Sequence, residues 1–304
     1  MTYTVSSGTL NLTLLLLVII GVYSRVVSWS IMGCTRHTCR LSCMSVNTVR
    51  RVRCRPRTKE MTRTLVDPLR SIFSCNLTAV DRQVFLTGFM RAHWTRNLSF
   101  ALQSFRRCNR WQPVQTLAKC LVPLTDKCRR SDIVAVKVIR LHMSHADQLL
   151  SNDADLRLIH VVRDPRGMIE SWKRLAAAHR RSMFHMRLNA KLICQRMLTD
   201  CRIRRELELK YPGRILLLRY EDLVAAPDTV IDHVYSGLLQ LALPSNVVNA
   251  IKRQLHAASG NGPTGTLRRN GTATAANWHR TIDSELLTYT TFTCRQLLDQ
   301  LHYN

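Results

Sequence analysis

Acidic residues are scarce in this chain. Its 304 residues include 20 Asp and Glu against 45 Lys and Arg, which leaves a formal net charge of +25 at pH 7. Such a surface attracts polyanions, whether nucleic acid, an anionic membrane, an acidic polysaccharide or a phosphate-bearing cofactor. Aromatic residues make up only 6% of the sequence, so stacking platforms for bases are few, and no nucleic-acid-binding module is recognisable. We therefore expect no nucleic-acid partner.

Other signatures are missing as well. The sequence contains no Gly-Lys-Ser/Thr motif, which disfavours a P-loop nucleotidase. Global disorder is excluded by a hydrophobic content of 46%, which is enough for a real core. No internal repeat is visible.

Charged side chains are also absent from the first 24 residues. The centre of that segment, Leu10 to Val22, is almost wholly aliphatic but short for a spanning helix, as in a signal peptide or a signal anchor. The alternative is a buried strand or helix of the domain. The basic residues follow the apolar run, and the positive-inside rule would then place the C-terminal side in the cytosol.

Cysteines and glycosylation sequons indicate a secretory compartment. The 11 cysteines are more than a cytosolic chain of this size usually carries. Asn-X-Ser/Thr tripeptides begin at Asn11, Asn76, Asn97 and Asn270. Several of the cysteines fall in a basic stretch over 25–64, where their spacing does not match the common paired-cysteine zinc frameworks. That stretch is a stem or linker, or a segment atypical of the domain after it. We expect an apolar segment over 1–24, the basic segment over 25–64 and one domain over 65–304.

Strands and helices alternate in the expected domain. Short apolar runs predict strands at Ile133–Ile139, Leu156–Val162 and Ile215–Leu218. Helical patterns are predicted from Asp164 to about Arg181 and over roughly 187–210, and helical spacing resumes after Pro227. This order predicts an α/β fold, a parallel sheet flanked by helices.

The segment HVVRDPRGMIESW, residues 160–172, carries the strongest chemical signal. Arg163 ends a predicted strand, and Ser171 lies about two turns into the next helix. Ligands of parallel α/β sheets bind beyond the carboxyl ends of the strands, where a helix N-terminus also favours anions. A guanidinium and a hydroxyl there suit a phosphate dianion. The alternative is that Arg163 pairs with a carboxylate and Ser171 is merely solvated.

Several segments, matching in order, resemble the Golgi carbohydrate sulfotransferases of the galactose/N-acetylglucosamine/N-acetylgalactosamine 6-O group. In chain order, they are LRSIFSCNLT, VIRLHMSHADQLLSNDADLRLIHVVRDPRGMIESW, LLLRYEDLVAAP, RNGTATAANWHR and CRQLLDQLHY. The resemblance covers roughly residues 65–304. It implies that Arg163 and Ser171 hold the 3′-phosphate of 3′-phosphoadenosine 5′-phosphosulfate. It also implies that Arg269 stands where the family has a basic residue near the cofactor. His279 stands between Trp278 and Arg280, where the family usually has Arg directly after the Trp.

The same resemblance implies a P-loop-like sulfotransferase fold and a carbohydrate 6-O-sulfotransferase. Sulfate would pass from the phosphosulfate to a sugar hydroxyl of a glycan or glycosaminoglycan, without a metal. It also implies a single-pass type II protein of the Golgi membrane, with a lumenal catalytic domain. The catalytic residues stay unknown. His142, His145 and His160 are candidates for a general base, although His160 lies within a predicted strand and is better explained as structural.

One family element has no convincing counterpart. The family opens with a strand and a loop rich in Arg, Ser and Gly, which cradles the 5′-phosphosulfate through backbone N–H groups. The nearest match upstream of Leu69 is SSGTL, Ser6 to Leu10, which lacks the Arg. The alternative function is therefore a non-catalytic or truncated relative that binds adenosine bisphosphate or glycan.

We predict that the chain as written transfers sulfate slowly. Loss of one transition-state donor costs about 10²–10³ in rate, and several donors lack a counterpart here. Radiolabelled sulfate transfer to keratan- and chondroitin-type acceptors should be compared with a chimera that carries a complete family N-terminus before Leu65. Faster transfer by the chimera is expected, whereas equal rates would show that another segment holds the phosphosulfate.

Overall fold

The computed structural model describes residues 2–5, 58–80, 104–105, 107–108, 117–131, 133–136, 138, 141–177, 183–258 and 267–303. These residues fall into two compact units, and the division comes after Val136. The first unit holds residues 2–5 and the described residues of 58–136. The second holds the described residues from 138 onward.

The first unit combines two helices with a strand pair. Its elements are β1 (Thr2–Val5), α1 (Thr58–Phe73), a 3₁₀ turn (Leu77–Ala79), α2 (Leu117–Arg129) and β2 (Ile133–Val136). Disulfides join Cys75 to Cys128 and Cys108 to Cys120. The first of these ties the end of α1 to the end of α2, and it closes a loop of 53 residues. Closing such a loop lowers the entropy of the unfolded chain and so stabilises the unit.

The strand pair of this unit is antiparallel, contrary to the expectation of a parallel sheet throughout. β1 pairs with β2 so that Thr2 lies opposite Val136 and Val5 opposite Ile133. The partner strand comes from Thr-Tyr-Thr-Val, whose β-branched and aromatic residues favour a pleated strand. The sequence predicts an apolar segment over 1–24 and no strand at its start. The aliphatic run of that segment, and with it the expected membrane or signal segment, lies outside the described residues.

The second unit is mostly helical. Its elements are a 3₁₀ turn (Met143–His145), α3 (Ala146–Leu150), β3 (Leu158–Val162), α4 (Pro165–Ala177), α5 (Met183–Lys210), β4 (Ile215–Arg219), α6 (Tyr220–Ala225), α7 (Pro227–Asp232), a π-helix (His233–Leu239), α8 (Ser245–Leu255), α9 (Gly271–Ala276), α10 (Trp278–Thr281) and α11 (Ser284–Leu301). None of the described helices has the length and apolar character needed to cross a membrane.

The parallel pair of strands lies between two layers of helices. β3 and β4 run parallel, with Leu158 opposite Ile215 and Val162 opposite Arg219. Side chains alternate across a strand. Val161 accordingly packs into a cluster with α6, α7, the π-helix, α8 and α9. Val162 packs on the other face with α4, α5 and α11. The predicted α/β architecture is therefore confirmed for this unit.

The predicted boundaries agree closely with these elements. The second predicted strand begins two residues later than expected, and the third ends one residue later. The first predicted strand is present over Ile133–Val136, while Lys137 and Ile139 lie outside the described residues. Helix α5 begins four residues earlier than its apolar pattern indicates. In the first unit, α1 runs across residue 65, the expected start of the domain.

A third disulfide fastens the helical layer on one face of the sheet. Cys194 of α5 and Cys294 of α11 are bonded, and both are buried in the cluster that contains Val162. The bond closes a loop of 100 residues, for which loop entropy predicts a stabilisation of about 4.7 kcal/mol. It fixes α11, whose C-terminal end reaches the candidate site.

Candidate functional site

The carboxyl ends of β3 and β4 meet at one edge of the strand pair. Arg163 directly follows β3, and Tyr220 directly follows β4. The Arg163 guanidinium lies over the Tyr220 ring, with its carbon 5.0 Å from the ring centroid. Such a cation–π contact holds the guanidinium at the strand ends, where parallel sheets bind ligands.

Asp164 determines how the chain turns from β3 into α4. Its Oδ1 accepts a hydrogen bond from the backbone N–H of Arg166 at 2.8 Å, so it caps the helix. The same carboxylate binds the Arg166 guanidinium, with Nη2–Oδ2 at 2.7 Å and Nε–Oδ1 at 3.1 Å. Both residues are buried. Pro165 occupies the first helical position, where its fixed φ suits a helix start.

Glu221 joins the two strand ends. Its Oε1 accepts the backbone N–H of Asp164 at 3.1 Å, and its Oε2 accepts the hydroxyl of Tyr303 at 2.9 Å. Burial raises the pKa of the Glu221 carboxyl, and these hydrogen bonds together with the charge of Arg163 act in the opposite direction. The Arg219 guanidinium lies over the Tyr303 ring at 4.4 Å. The end of the chain is thereby fastened to the end of β4.

Trp278 covers the first turn of α4. The Arg166 guanidinium lies 4.6 Å from the centroid of the Trp278 ring, and Trp278 is buried. A Cβ at Gly167 would lie 2.8 Å from Trp278 Cδ1, a distance that real structures do not show. Glycine at 167 is therefore required for the indole to approach this closely. His279 stacks on Trp278, with the ring centroids 3.7 Å apart.

A second guanidinium, that of Arg268, interacts electrostatically with Arg163 and Tyr220, and its Nη1 donates to the carbonyl oxygen of Leu267 at 2.9 Å. The backbone of Arg268 is held by the end of α8, since its N–H donates to Gln254 O at 2.8 Å and its carbonyl accepts from Ala257 at 2.7 Å. The side chain is half-buried. Burial lowers the pKa of Arg268, the charge of Arg163 lowers it further, and Tyr220 raises it. Arg163, Tyr220 and Arg268 therefore form one electrostatic cluster, which we call the strand-end cluster.

The strand-end cluster has unused hydrogen-bonding capacity. Arg163 is half-buried, and its Nε finds no hydrogen-bond partner among the described residues. The nearby Glu221 carboxylate interacts with the charge of Arg163, and an anion bound by both guanidinium groups would further offset their repulsion and the cost of the buried unpaired N–H. The arrangement is therefore suited to binding a phosphate or sulfate group.

The three residues predicted to bind the cofactor lie in three different surroundings. Arg163 lies in the strand-end cluster. Ser171 is half-buried in α4, four residues after Gly167 and hence on the helix face that Trp278 covers at Gly167. Arg269 is exposed, and its Nε lies 3.4 Å from the carbonyl oxygen of Ala258. Arg268, its neighbour, is half-buried instead, a difference that two adjacent arginines do not reveal in the sequence.

The histidine candidates lie around a different carboxylate, Asp200. His142 Nδ1 lies 3.6 Å from Asp200 Oδ1, which also accepts the backbone N–H of Met143 at 3.0 Å. Burial lowers the pKa of His145, and His142 lowers it further, whereas Asp200 raises it. Burial lowers the pKa of His160 to about 4, which keeps that imidazole neutral at physiological pH. His160 lies in β3 and is buried, as the structural interpretation expects. Among the described residues, no group of His, Cys, Asp or Glu could hold a metal ion.

We predict that Asp164→Ala lowers the free energy of unfolding by about 3–5 kcal/mol, because the buried Arg166 loses its carboxylate and α4 loses its cap. Asp228→Ala is the matched control. Its ion pair with Lys252, at 2.7 Å, is exposed and should contribute about 1 kcal/mol or less. Urea denaturation of both variants measures the difference. Equal losses would show that the Asp164–Arg166 pair does not stabilise the site.

The part of the chain that forms this site resembles known proteins. The sulfotransferase family matches residues 51–241, which include β3, α4 and β4. No solved structure matches the chain. "Carbohydrate sulfotransferase 1" of Danio rerio is 28% identical over 273 residues, which is 78% of this chain and 63% of that protein. "Carbohydrate sulfotransferase 1" of Homo sapiens is 27% identical over 274 residues, or 78% of this chain and 64% of that protein.

A further relative matches a shorter region. "Carbohydrate sulfotransferase 3" of Rattus norvegicus is 28% identical over 181 residues, or 53% of this chain and 37% of that protein. The chain thus spans less than two thirds of the length of these curated relatives. The family match covers well over half of the chain and confirms the resemblance seen in its motifs. This chain belongs to the sulfotransferase family.

Proposed function

We propose that this protein transfers sulfate from 3′-phosphoadenosine 5′-phosphosulfate to the 6-hydroxyl of a sugar in a glycan or glycosaminoglycan. The observation that carries the proposal is the strand-end cluster, in a chain of the sulfotransferase family. The names of its relatives support a carbohydrate acceptor. We also propose that the fold is the P-loop-like fold of the sulfotransferases.

The strand-end cluster would bind the 3′-phosphate of the donor. Arg163 offers its unpaired Nε, and Arg268 adds a second positive charge. Helix α4 spans 13 residues and begins two residues after Arg163, so its N-terminus adds a positive potential at the same edge. Ser171 would contribute a hydroxyl. A bound phosphate attracts both guanidinium groups, and this attraction offsets the repulsion between them.

The chemistry follows from this binding mode. The sugar hydroxyl attacks sulfur in line, the S–O bond to the nucleotide phosphate breaks, and adenosine 3′,5′-bisphosphate leaves with the electron pair. Negative charge builds on the bridging oxygen, so fixed cations and N–H donors supply most of the stabilisation. His142 and His145 stay candidates for the base that accepts the hydroxyl proton, and His160 is better explained as structural.

We predict that Arg163→Ala and Arg268→Ala each weaken the binding of adenosine 3′,5′-bisphosphate roughly tenfold or more. Each removes a charge-assisted contact worth about 1.5–3 kcal/mol. Arg269→Ala is the matched control, because it removes the same charge from the adjacent exposed position. Titration calorimetry on the wild type and the three variants measures the affinities.

The outcome separates the two arginines. A loss for Arg163 and Arg268 with little change for Arg269 supports the strand-end cluster. A loss for Arg269 and none for Arg268 would return the second cation to the residue expected from the sequence. Wild-type affinity in the Arg163 variant would sink the assignment of the phosphate site.

One observation favours a second candidate function, binding of the nucleotide without sulfate transfer. No segment before Leu69 matches the Arg-, Ser- and Gly-rich loop of the family. The strand-end cluster needs no residue from that region, so nucleotide binding and sulfate transfer are separable. The chimera described above distinguishes the candidates, since a binding protein would gain transfer activity only with the added loop.

We also propose a lumenal Golgi location, with the protein held in the membrane as a single-pass type II protein. The disulfides among the described residues suit an oxidising compartment. Asn76 and Asn270 are both exposed, as acceptor asparagines must be. Thr78 Oγ1 donates to Asn76 Oδ1 at 3.1 Å. Asn270 Oδ1 caps α9 by accepting from Ala273 at 2.8 Å, which leaves its amide nitrogen available for a glycan.

A lumenal protein should carry N-glycans at these sequons. After expression in secretory cells, its band on a gel should therefore shift when a glycosidase removes the glycans. Asn76→Gln and Asn270→Gln should each reduce the shift if that asparagine carries a glycan, and the double variant measures what Asn97 adds. The control is the unmodified chain from a cytosolic expression system, which should show no shift. An unshifted chain in a cytosolic fraction of secretory cells would refute the proposed location.

A further inference from the structure

An open groove lies along the N-terminal half of α11, apart from the strand-end cluster. It has a volume of about 480 Å³, and its lining residues are Arg187, Ser284, Glu285, Thr288, Tyr289 and Phe292. Phe292 is 80% exposed, although a phenyl ring in water is unfavourable. The ring lies three residues after Tyr289, so the two aromatic residues are neighbours on the helix surface.

Polar groups surround the aromatic pair. The Arg187 guanidinium lies 5.6 Å from the centroid of the Tyr289 ring and contacts the carboxylate of Glu285. Ser284 and Thr288 also line the groove, and the Thr288 hydroxyl donates to the backbone carbonyl of Ser284 at 2.9 Å. Flat apolar rings bordered by hydrogen-bonding groups fit a sugar ring, which has an apolar C–H face and hydroxyls around its edge. Dispersion and the release of water favour contact between an aromatic ring and the C–H face of the sugar. Polar groups at the rim of the groove would hydrogen-bond the sugar hydroxyls.

The groove lies towards the carboxyl edge of the strand pair, the edge that carries the strand-end cluster. Leu207 of α5 belongs to the same buried cluster as Ile215 at the start of β4, whereas Cys194 of α5 belongs to the same buried cluster as Val162 at the end of β3. From Leu207 to Cys194, α5 therefore runs towards the carboxyl edge of the strands. Arg187 is seven residues further, or about 10 Å beyond that level.

Helix α11 connects the groove to the cluster. Its C-terminal end lies at the strand ends, where Tyr303 donates to Glu221. Tyr289 precedes Leu301 by twelve residues, which corresponds to about 18 Å of helix. A sugar that reacts near the strand ends could therefore extend its chain along α11 into the groove.

We propose that this groove binds the part of the acceptor glycan remote from the reacting sugar, with a sugar ring stacked on the exposed ring of Phe292. The inference rests on the proposed function, because only a glycan acceptor would need such a subsite. The volume fits a few sugar rings rather than a protein segment with its own core. Chain length in the acceptor would then determine affinity.

The test compares a keratan-type tetrasaccharide with the corresponding disaccharide, in the full chain with adenosine 3′,5′-bisphosphate bound. The wild type should bind the tetrasaccharide more tightly. Phe292→Ala should remove that gain, with a roughly five- to tenfold loss for the tetrasaccharide. Phe292→Tyr, which keeps a ring, should retain it. Leu209→Ala is the control, because Leu209 is 86% exposed near the opposite end of α5.

Two results would overturn the inference. They are unchanged tetrasaccharide affinity in Phe292→Ala and no gain with chain length in the wild type. If the first came with changed sedimentation of Phe292→Ala, the groove would be assigned to contact with a second copy of the chain. Nucleotide affinity that still depends on Arg163 would leave the proposed function standing in each case.

Discussion

Asp164 is bound from two directions, and the geometry of the candidate site depends on it. Its carboxylate caps α4 and binds the Arg166 guanidinium, while its own N–H donates to Glu221 after β4. These contacts set the angle at which the chain leaves β3, and so they place Arg163. Because the pair is buried, either charge alone would be strongly unfavourable, and the two residues act as one unit.

The rest of the site is arranged around that unit. Arg166 supports Trp278, which can approach only because residue 167 is glycine. Glu221 holds Tyr303, and through it the end of α11. The disulfide between Cys194 and Cys294 fixes α11 against α5 on the same face of the sheet. Segments more than 100 residues apart in the chain thus converge on the carboxyl ends of two short strands.

The strand-end cluster shows how a highly basic chain uses a small number of its cations. Most of the 45 Lys and Arg residues contribute to a general attraction for anions, which solvent and salt screen. Arg163 and Arg268 are half-buried, so their charges are screened less and their positions are fixed by neighbouring groups. In the proposed site, a phosphate would meet two guanidinium groups whose surroundings fix their positions. Such groups are better placed to bind an anion than a diffuse positive surface is.

The sequence by itself determined the strand–helix order of the second unit, the turn at Asp164-Pro165 and the position of Arg163, because these depend on local patterns of period, capping and proline. It also identified the family. Only the tertiary structure shows that Arg268 is half-buried and Arg269 exposed, since the backbone bonds of Arg268 at the end of α8 come from residues that are brought near it by folding. The antiparallel pairing of Thr2–Val5 and the aromatic groove on α11 have the same origin. Strand partners and the exposure of a ring are set by what packs nearby, which no local pattern encodes.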